Sequence, residues 1–259
     1  MWYSRFLTFM GAAALLSACG GGDVNVTPEL APADAAALEA SALNGLWTGD
    51  YTPTAGQPCT DVRGLILNGR VYAASADCDV ILTGSLSVDS GSATASIAFD
   101  LFDADGNAGG SAGFTGSYTL KSLIDGSLDN GARLTLNYDI AYENDSAIAK
   151  VAGDWCAQGA FVQVDNAGNI TGVATGGGVN NGCVYSGNIE LIDSDYNLYG
   201  VTLSVDSFPS SASCPLTGNY TAVASVTEGA YALMTILGGN DQHAVLADFL
   251  RDTSACSSN

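Results

Sequence analysis

From Leu46 onward the chain alternates apolar and polar residues with a period of two. In RLTLNYDIAY, Leu134, Leu136, Tyr138, Ile140 and Tyr142 share one side, while Arg133, Thr135, Asn137 and Asp139 share the other. VILTGSLSV sets Leu82, Leu86 and Val88 against Thr83, Ser85 and Ser87 in the same way. Successive side chains of a strand point to opposite faces, so this alternation marks strands with one buried and one wetted side. SATASIAFDLFD, NLYGVTLSVD, GNYTAVASV and YALMTIL repeat it, separated by the turn clusters DADGN, DNAGN, DSDYN and GGND. The pattern predicts an all-β chain of antiparallel strands joined by hairpins and folded as small barrels or sandwiches. PADAAALEASAL, residues 32 to 43, breaks the rule and reads as a short helix, with proline in its first turn and Asn44-Gly45 ending it.

Three landmarks recur in the same order. NGLWTGDY is answered by AGDWCAQG, CDVILTGSLSVDS by CVYSGNIELIDSD, and FTGSYTL by LTGNYTA, at offsets shrinking from about 108 to about 102 residues. This implies a duplication, with a first β lobe over residues 44–148 and a second over 149–259.

The first residues carry a different signal. Arg5 precedes an apolar run from Phe6 to Leu16 that is about half the ~20 residues a membrane-spanning helix needs, so the segment reads as an export signal. Leu16-Ser17-Ala18-Cys19 resembles the lipobox of bacterial lipoproteins. That resemblance implies removal of residues 1–18, acylation of the Cys19 thiol, and a lipidated tether over residues 19–43. Gly20 after the cysteine implies delivery to the outer membrane, with Cys19 as the membrane attachment point.

Setting Cys19 aside leaves Cys59, Cys78, Cys156, Cys183, Cys214 and Cys256, an even set that suits disulfides in an exported chain. No C-x-x-C pair exists and His243 is the sole histidine, which argues against zinc. The repeat makes Cys78 and Cys183 equivalent, each with an unmatched cysteine nearby in its own half. The expected pairs are therefore Cys59–Cys78, Cys183–Cys214 and Cys156–Cys256, worth about 3 kcal/mol for each short loop and about 5 for the long one. Charge excludes another class of function. With 27 Asp and Glu against 7 Lys and Arg, a net of -20, the chain lacks the clustered cations that nucleic acid requires.

Few motifs survive inspection. GGSAG, residues 109–113, spells a nucleophile elbow around Ser111, but it reads as a glycine-rich hairpin loop, and the one candidate base, His243, belongs to the other lobe. FDADGN, with Asp103, Asp105 and Gly106, begins like a calcium loop but has Leu101 and Ala112 where acids are needed, so turn chemistry is the better reading of it and of the similar VDNAGN and IDSDYN, with weak, millimolar calcium binding at these acidic tips as the alternative. TGGGVNNG, from Thr175 to Gly182, lacks the lysine of a phosphate loop. No catalytic residue, metal site or cofactor is expected.

Gly45-x-Trp47 and Gly153-x-Trp155, each opening a lobe, resemble the G-x-W motif of the calycins, the lipocalin and avidin-like barrels. The resemblance implies that each tryptophan closes a barrel end and that an arginine near the last strand packs across it: Arg251 in the second lobe and Arg133 in the first. Adjacent first and last strands would also let Cys256 reach Cys156. The leading functional expectation is a non-enzymatic, lipid-anchored envelope module that binds an unidentified partner. Its rival is a carrier of a small apolar ligand in a barrel lined by Tyr and Phe, and a carboxylate-dependent polysaccharide hydrolase ranks third. An open apolar pocket of a few hundred cubic ångströms would favour the carrier, and filled interiors would exclude it.

Overall fold

A computed structural model describes residues 40–157, 159–174, 182–208, 214–229, 232–240 and 242–251. Their sixteen strands form two antiparallel eight-stranded barrels in tandem. The first comprises β1 (Gly45–Thr52), β2 (Cys59–Leu67), β3 (Arg70–Ser75), β4 (Val80–Asp89), β5 (Thr94–Asp103), β6 (Ala108–Thr119), β7 (Leu123–Leu128) and β8 (Arg133–Asp139). The second comprises β9 (Gly153–Ala157), β10 (Ala160–Val164), β11 (Asn169–Ala174), β12 (Cys183–Leu191), β13 (Tyr199–Ser207), β14 (Gly218–Val226), β15 (Leu233–Gly239) and β16 (Ala244–Leu250). A 3₁₀ turn (Ile140–Glu143) and a one-turn helix, α1 (Ile148–Val151), connect them. Of the predicted tether helix only residues 40–43 are described, and Cys19 and Cys256 both lie outside the described residues.

The repeat landmarks occupy strands of equal rank. NGLWTGDY and AGDWCAQG supply β1 and β9, each the first of its barrel. The second pair supplies the fourth strands, β4 and β12, and the third pair the sixth, β6 and β14. The alternating pattern thus builds the same meander twice, and closure removes the sheet edges that an open meander would expose. One segment departs from expectation. Residues 109–113 are strand rather than loop: Ser111 stands opposite Asp100 in β6, and a bulge near Gly110 absorbs the glycine-rich stretch. The long β5 template holds this stretch extended despite its poor intrinsic strand preference.

Two strands are buried on both faces. β3 is buried at every position after Arg70, and β15 at every position from Met234 to Gly238's neighbour Leu237. Their outward sides meet across the barrel interface, where Leu65, Tyr72 and Ile81 of the first barrel join Leu198, Val223 and Leu237 of the second. Arg63 bridges to Asp248 at 2.7 Å, Tyr142 stacks on Tyr196 at 4.7 Å, and Asn197 bonds the carbonyls of both Ala141 and Val226. Near-continuous apolar runs are what doubly covered strands require.

Candidate functional site: the seam and interior of the second barrel

Both barrels are plugged at one end by the same device. Trp47 and Trp155 are fully buried, and each indole donates to the carbonyl four residues back, Leu43 O at 3.2 Å and Val151 O at 2.7 Å. A buried indole N–H without such an acceptor would be costly, so the short helical turn before each first strand supplies it. Across Trp155 lies the Arg251 guanidinium, 4.6 Å from the ring centroid, which also donates to Ala152 O at 2.9 Å and to Lys150 O. Arg133 takes no such position. It pairs with Thr52 at the far end of β1 and is held by Asp125 at 2.6 Å, because the strand register sets Tyr138, not Arg133, opposite Trp47. Tyr138 meets the indole edge-on at 5.4 Å, and a Cβ at Gly45 would come within 2.8 Å of its ring.

The seams differ. β1 and β8 pair through seven positions, from Leu46 opposite Asp139 to Thr52 opposite Arg133. β9 is shorter, reaches β10 by way of Gly159 (φ 74°), and among the described residues meets β16 where Leu250 faces Cys156. Among the described residues no strand covers the edge of β16 from Leu246 to Asp248. Cys156 at the seam is disulfide-bonded, and its partner lies outside the described residues. The other disulfides join Cys59 to Cys78, with Cα atoms 5.8 Å apart, and Cys183 to Cys214, at 5.0 Å.

Behind this seam the second barrel encloses a cavity of about 260 Å³. Its wall is aliphatic where the sequence suggested aromatic: Ala157, Ala160, Val162, Ile170, Leu203 and Ile236, with Phe249 and Tyr185 as the aromatic contributors. Burial pushes the Tyr185 phenol up to about 12, so it stays protonated. Asp248 borders the cavity but turns its carboxylate outward to Arg63 and Thr235. The interior of the first barrel carries larger side chains by contrast, with Phe99 and Phe114 meeting edge-to-face at 6.5 Å among the fully buried Ile66, Leu134 and Leu136. Matching FTGSYTL to LTGNYTA puts Leu216, a cavity-lining residue, at the place of Phe114. That swap and the alanines of β9, β10 and β16 were the available sequence signal.

The mouth is flanked by the first barrel. Ala104 and Asp105, in the β5–β6 turn, line the cavity. Gly106 O accepts from Ala244 N at 3.2 Å, and His243 Nδ1 lies 3.3 Å from the same oxygen. Gly106 adopts φ +80°, and a Cβ there would strike Ala244 O at 2.4 Å, so this close approach requires glycine. Asp103 closes the turn by accepting from Asn107 N at 2.8 Å, and Asp165 does the same for Asn169. These carboxylates serve their own turns, and the described residues contain no metal-binding cluster. His243 and Ser111 share no hydrogen bond among the described residues, and residues 175–181 of the glycine-rich loop lie outside them. No protein-family model, curated protein or solved structure matches the chain.

Proposed function

We propose that this chain is a non-enzymatic binding protein of the cell envelope, anchored to the outer membrane through acylated Cys19, whose second barrel carries a small, uncharged, apolar ligand. The observation that carries the reading is the aliphatic cavity of about 260 Å³ in the second barrel, where the first packs Phe99 against Phe114. Apolar cavities near ~150 Å³ take up benzene, so this one has room for a two-ring compound or a medium-length acyl chain. Two of the polar groups at the cavity favour binding over chemistry, Tyr185 as a protonated phenol and Asp248 as the partner of an arginine, and the third, Asp105, stands in the turn at the mouth. The lipobox at residues 16–19 supports the envelope address, and the barrel ends built on Trp47 and Trp155 are compatible with a calycin-like carrier.

Titration with N-phenyl-1-naphthylamine, which brightens in apolar surroundings, tests the carrier. Saturable enhancement with a Kd of roughly 1–10 µM is expected, and none up to about 100 µM would overturn it. The anchor is tested separately by fractionating Cys19→Ala. The variant should leave the outer-membrane fraction, and wild-type levels remaining there would remove the lipid anchor from the reading.

A further inference from the structure

Beside the apolar interface, the two barrels frame a second concavity of about 640 Å³, within the ~300–1,000 Å³ range of small-molecule sites. Its walls are the outward faces of β3–β5 and of β12–β15. On the first wall, Tyr72, Thr83 and Asp100 stand in one cross-strand row, with Arg70 beside them at the start of β3. On the second, Thr202 and Thr221 are paired neighbours, flanked by Glu190 and Asn219. Gly239 brings the walls together, since a Cβ there would lie 3.3 Å from the Thr83 methyl.

The basic residues single this groove out. Arg63, Lys121, Arg133 and Lys150 are each held by a carboxylate, and Arg251 is held by carbonyls and an indole. Among the described residues, Arg70 alone has neither an ion pair nor a hydrogen bond from its side chain, in a chain of formal charge -20. Asp100, Glu190, Asn219, Thr202 and Thr221 likewise make no side-chain hydrogen bond among the described residues. Some comparable groups elsewhere are engaged, Asp125 by Arg133 and Thr135 and Asn197 by Val226, whereas in the groove free acceptors and donors stand beside the one uncommitted guanidinium among the described residues. The groove therefore presents a five-donor guanidinium, an amide, hydroxyls and two acceptor carboxylates on facing walls, with Leu67, Ile192 and Val223 supplying apolar surface between them.

We propose that the inter-barrel groove binds a neutral oligosaccharide of two or three residues. Each sugar hydroxyl both donates and accepts, so its site needs donors and acceptors interleaved, and apolar patches match the C–H faces of the rings. Phosphorylated or strongly anionic ligands are disfavoured, because Asp100 and Glu190 oppose the single cation. A purely apolar ligand would strand all six polar side chains. The site is independent of the barrel cavity.

Calorimetry with maltotriose, cellotriose and chitotriose, with trigalacturonate as the anionic comparison, tests this. At least one neutral trisaccharide should bind with a Kd of about 0.1–1 mM and weaken at least ~10-fold in Arg70→Ala and in Asp100→Asn. The substituted side chains are exposed, so unchanged circular dichroism is expected to accompany the loss. Leu216→Phe, which fills the barrel cavity, should leave saccharide binding intact, which separates this site from the carrier. Absence of saturable binding to any neutral trisaccharide up to ~10 mM, tighter binding of trigalacturonate, or indifference to both groove substitutions would each overturn the proposal.

Discussion

The two barrels share strand count, strand order and an indole-to-carbonyl plug, yet they spend their interiors differently. In the first, an eight-residue β1 pairs with β8 along seven positions, and Phe99 and Phe114 fill the space within. In the second, a five-residue β9 makes one pair with β16 among the described residues, and alanines with Leu216 line a cavity behind it. Strand order alone does not set how the interior is packed: the outward sides of β3 and β15 meet at the barrel interface, while the side chains pointing inward differ between the barrels. The difference lies in side-chain volume and strand length at a few positions, not in topology.

The largest expected effect comes from exchanging those volumes. Phe114→Ala opens a cavity in a close-packed core and should destabilise the protein by about 3–5 kcal/mol, read from urea unfolding. Leu216→Phe inserts a ring where space exists, so its cost should stay below about 1 kcal/mol while probe binding falls at least 10-fold. If Leu216→Phe destabilises as much as Phe114→Ala, the two interiors are packed alike and the contrast fails.

What the sequence made legible follows from which features are local. Period-two alternation and turn clusters are read over five to ten residues, so the strands and their antiparallel sense were accessible. The two-lobe arrangement was readable because Trp47 and Trp155, Cys78 and Cys183, and Tyr118 and Tyr220 recur in type and order. Closure into barrels was not, since it depends on whether β1 meets β8, a contact between residues nearly a hundred positions apart. Register explains the Arg133 error: the turn before β8 fixes Tyr138 opposite Trp47, and no composition rule reveals that offset. The groove was not legible for the same reason, because Arg70 and Glu190 come to line one concavity only through the packing of one barrel on the other.

A middle-sized effect should separate the two seams. Arg251 stacks on Trp155 and ties the end of α1 to the last strand, and a guanidinium over an indole is worth roughly 0.5–2 kcal/mol. Arg251→Met keeps the apolar stem but removes the charge and both donors, so a loss of about 1–2 kcal/mol is expected. Hydrogen exchange gives the sharper reading. The Cys156 and Leu250 amides should lose protection in this variant, while β1 and β8 keep theirs, because among the described residues one seam has a single pair and the other seven. Equal loss in both barrels would mean that the seams are not independent.

The smallest effect compares two chemically similar turns in different settings. Asp103 and Asp165 each accept hydrogen bonds from the backbone and side chain of an asparagine four residues on, Asn107 and Asn169, and these bonds hold both carboxyls below the usual range. A folded-state pKa below the unfolded value means that the stabilisation is complete above the unfolded pKa, about 3.9, and is lost as pH falls through the lowered folded value. Acid should therefore loosen both turns in the same window. Only the first flanks the cavity mouth, where Ala104 and Asp105 line the opening and Gly106 O receives Ala244 N. At neutral pH, Asp103→Ala should mimic acid at that turn by removing its turn-closing hydrogen bonds and speed release of the bound probe about 2- to 5-fold. Asp165→Ala should leave the release rate unchanged. Equal rates in the two variants would show that the first barrel's turn does not gate the second barrel's cavity.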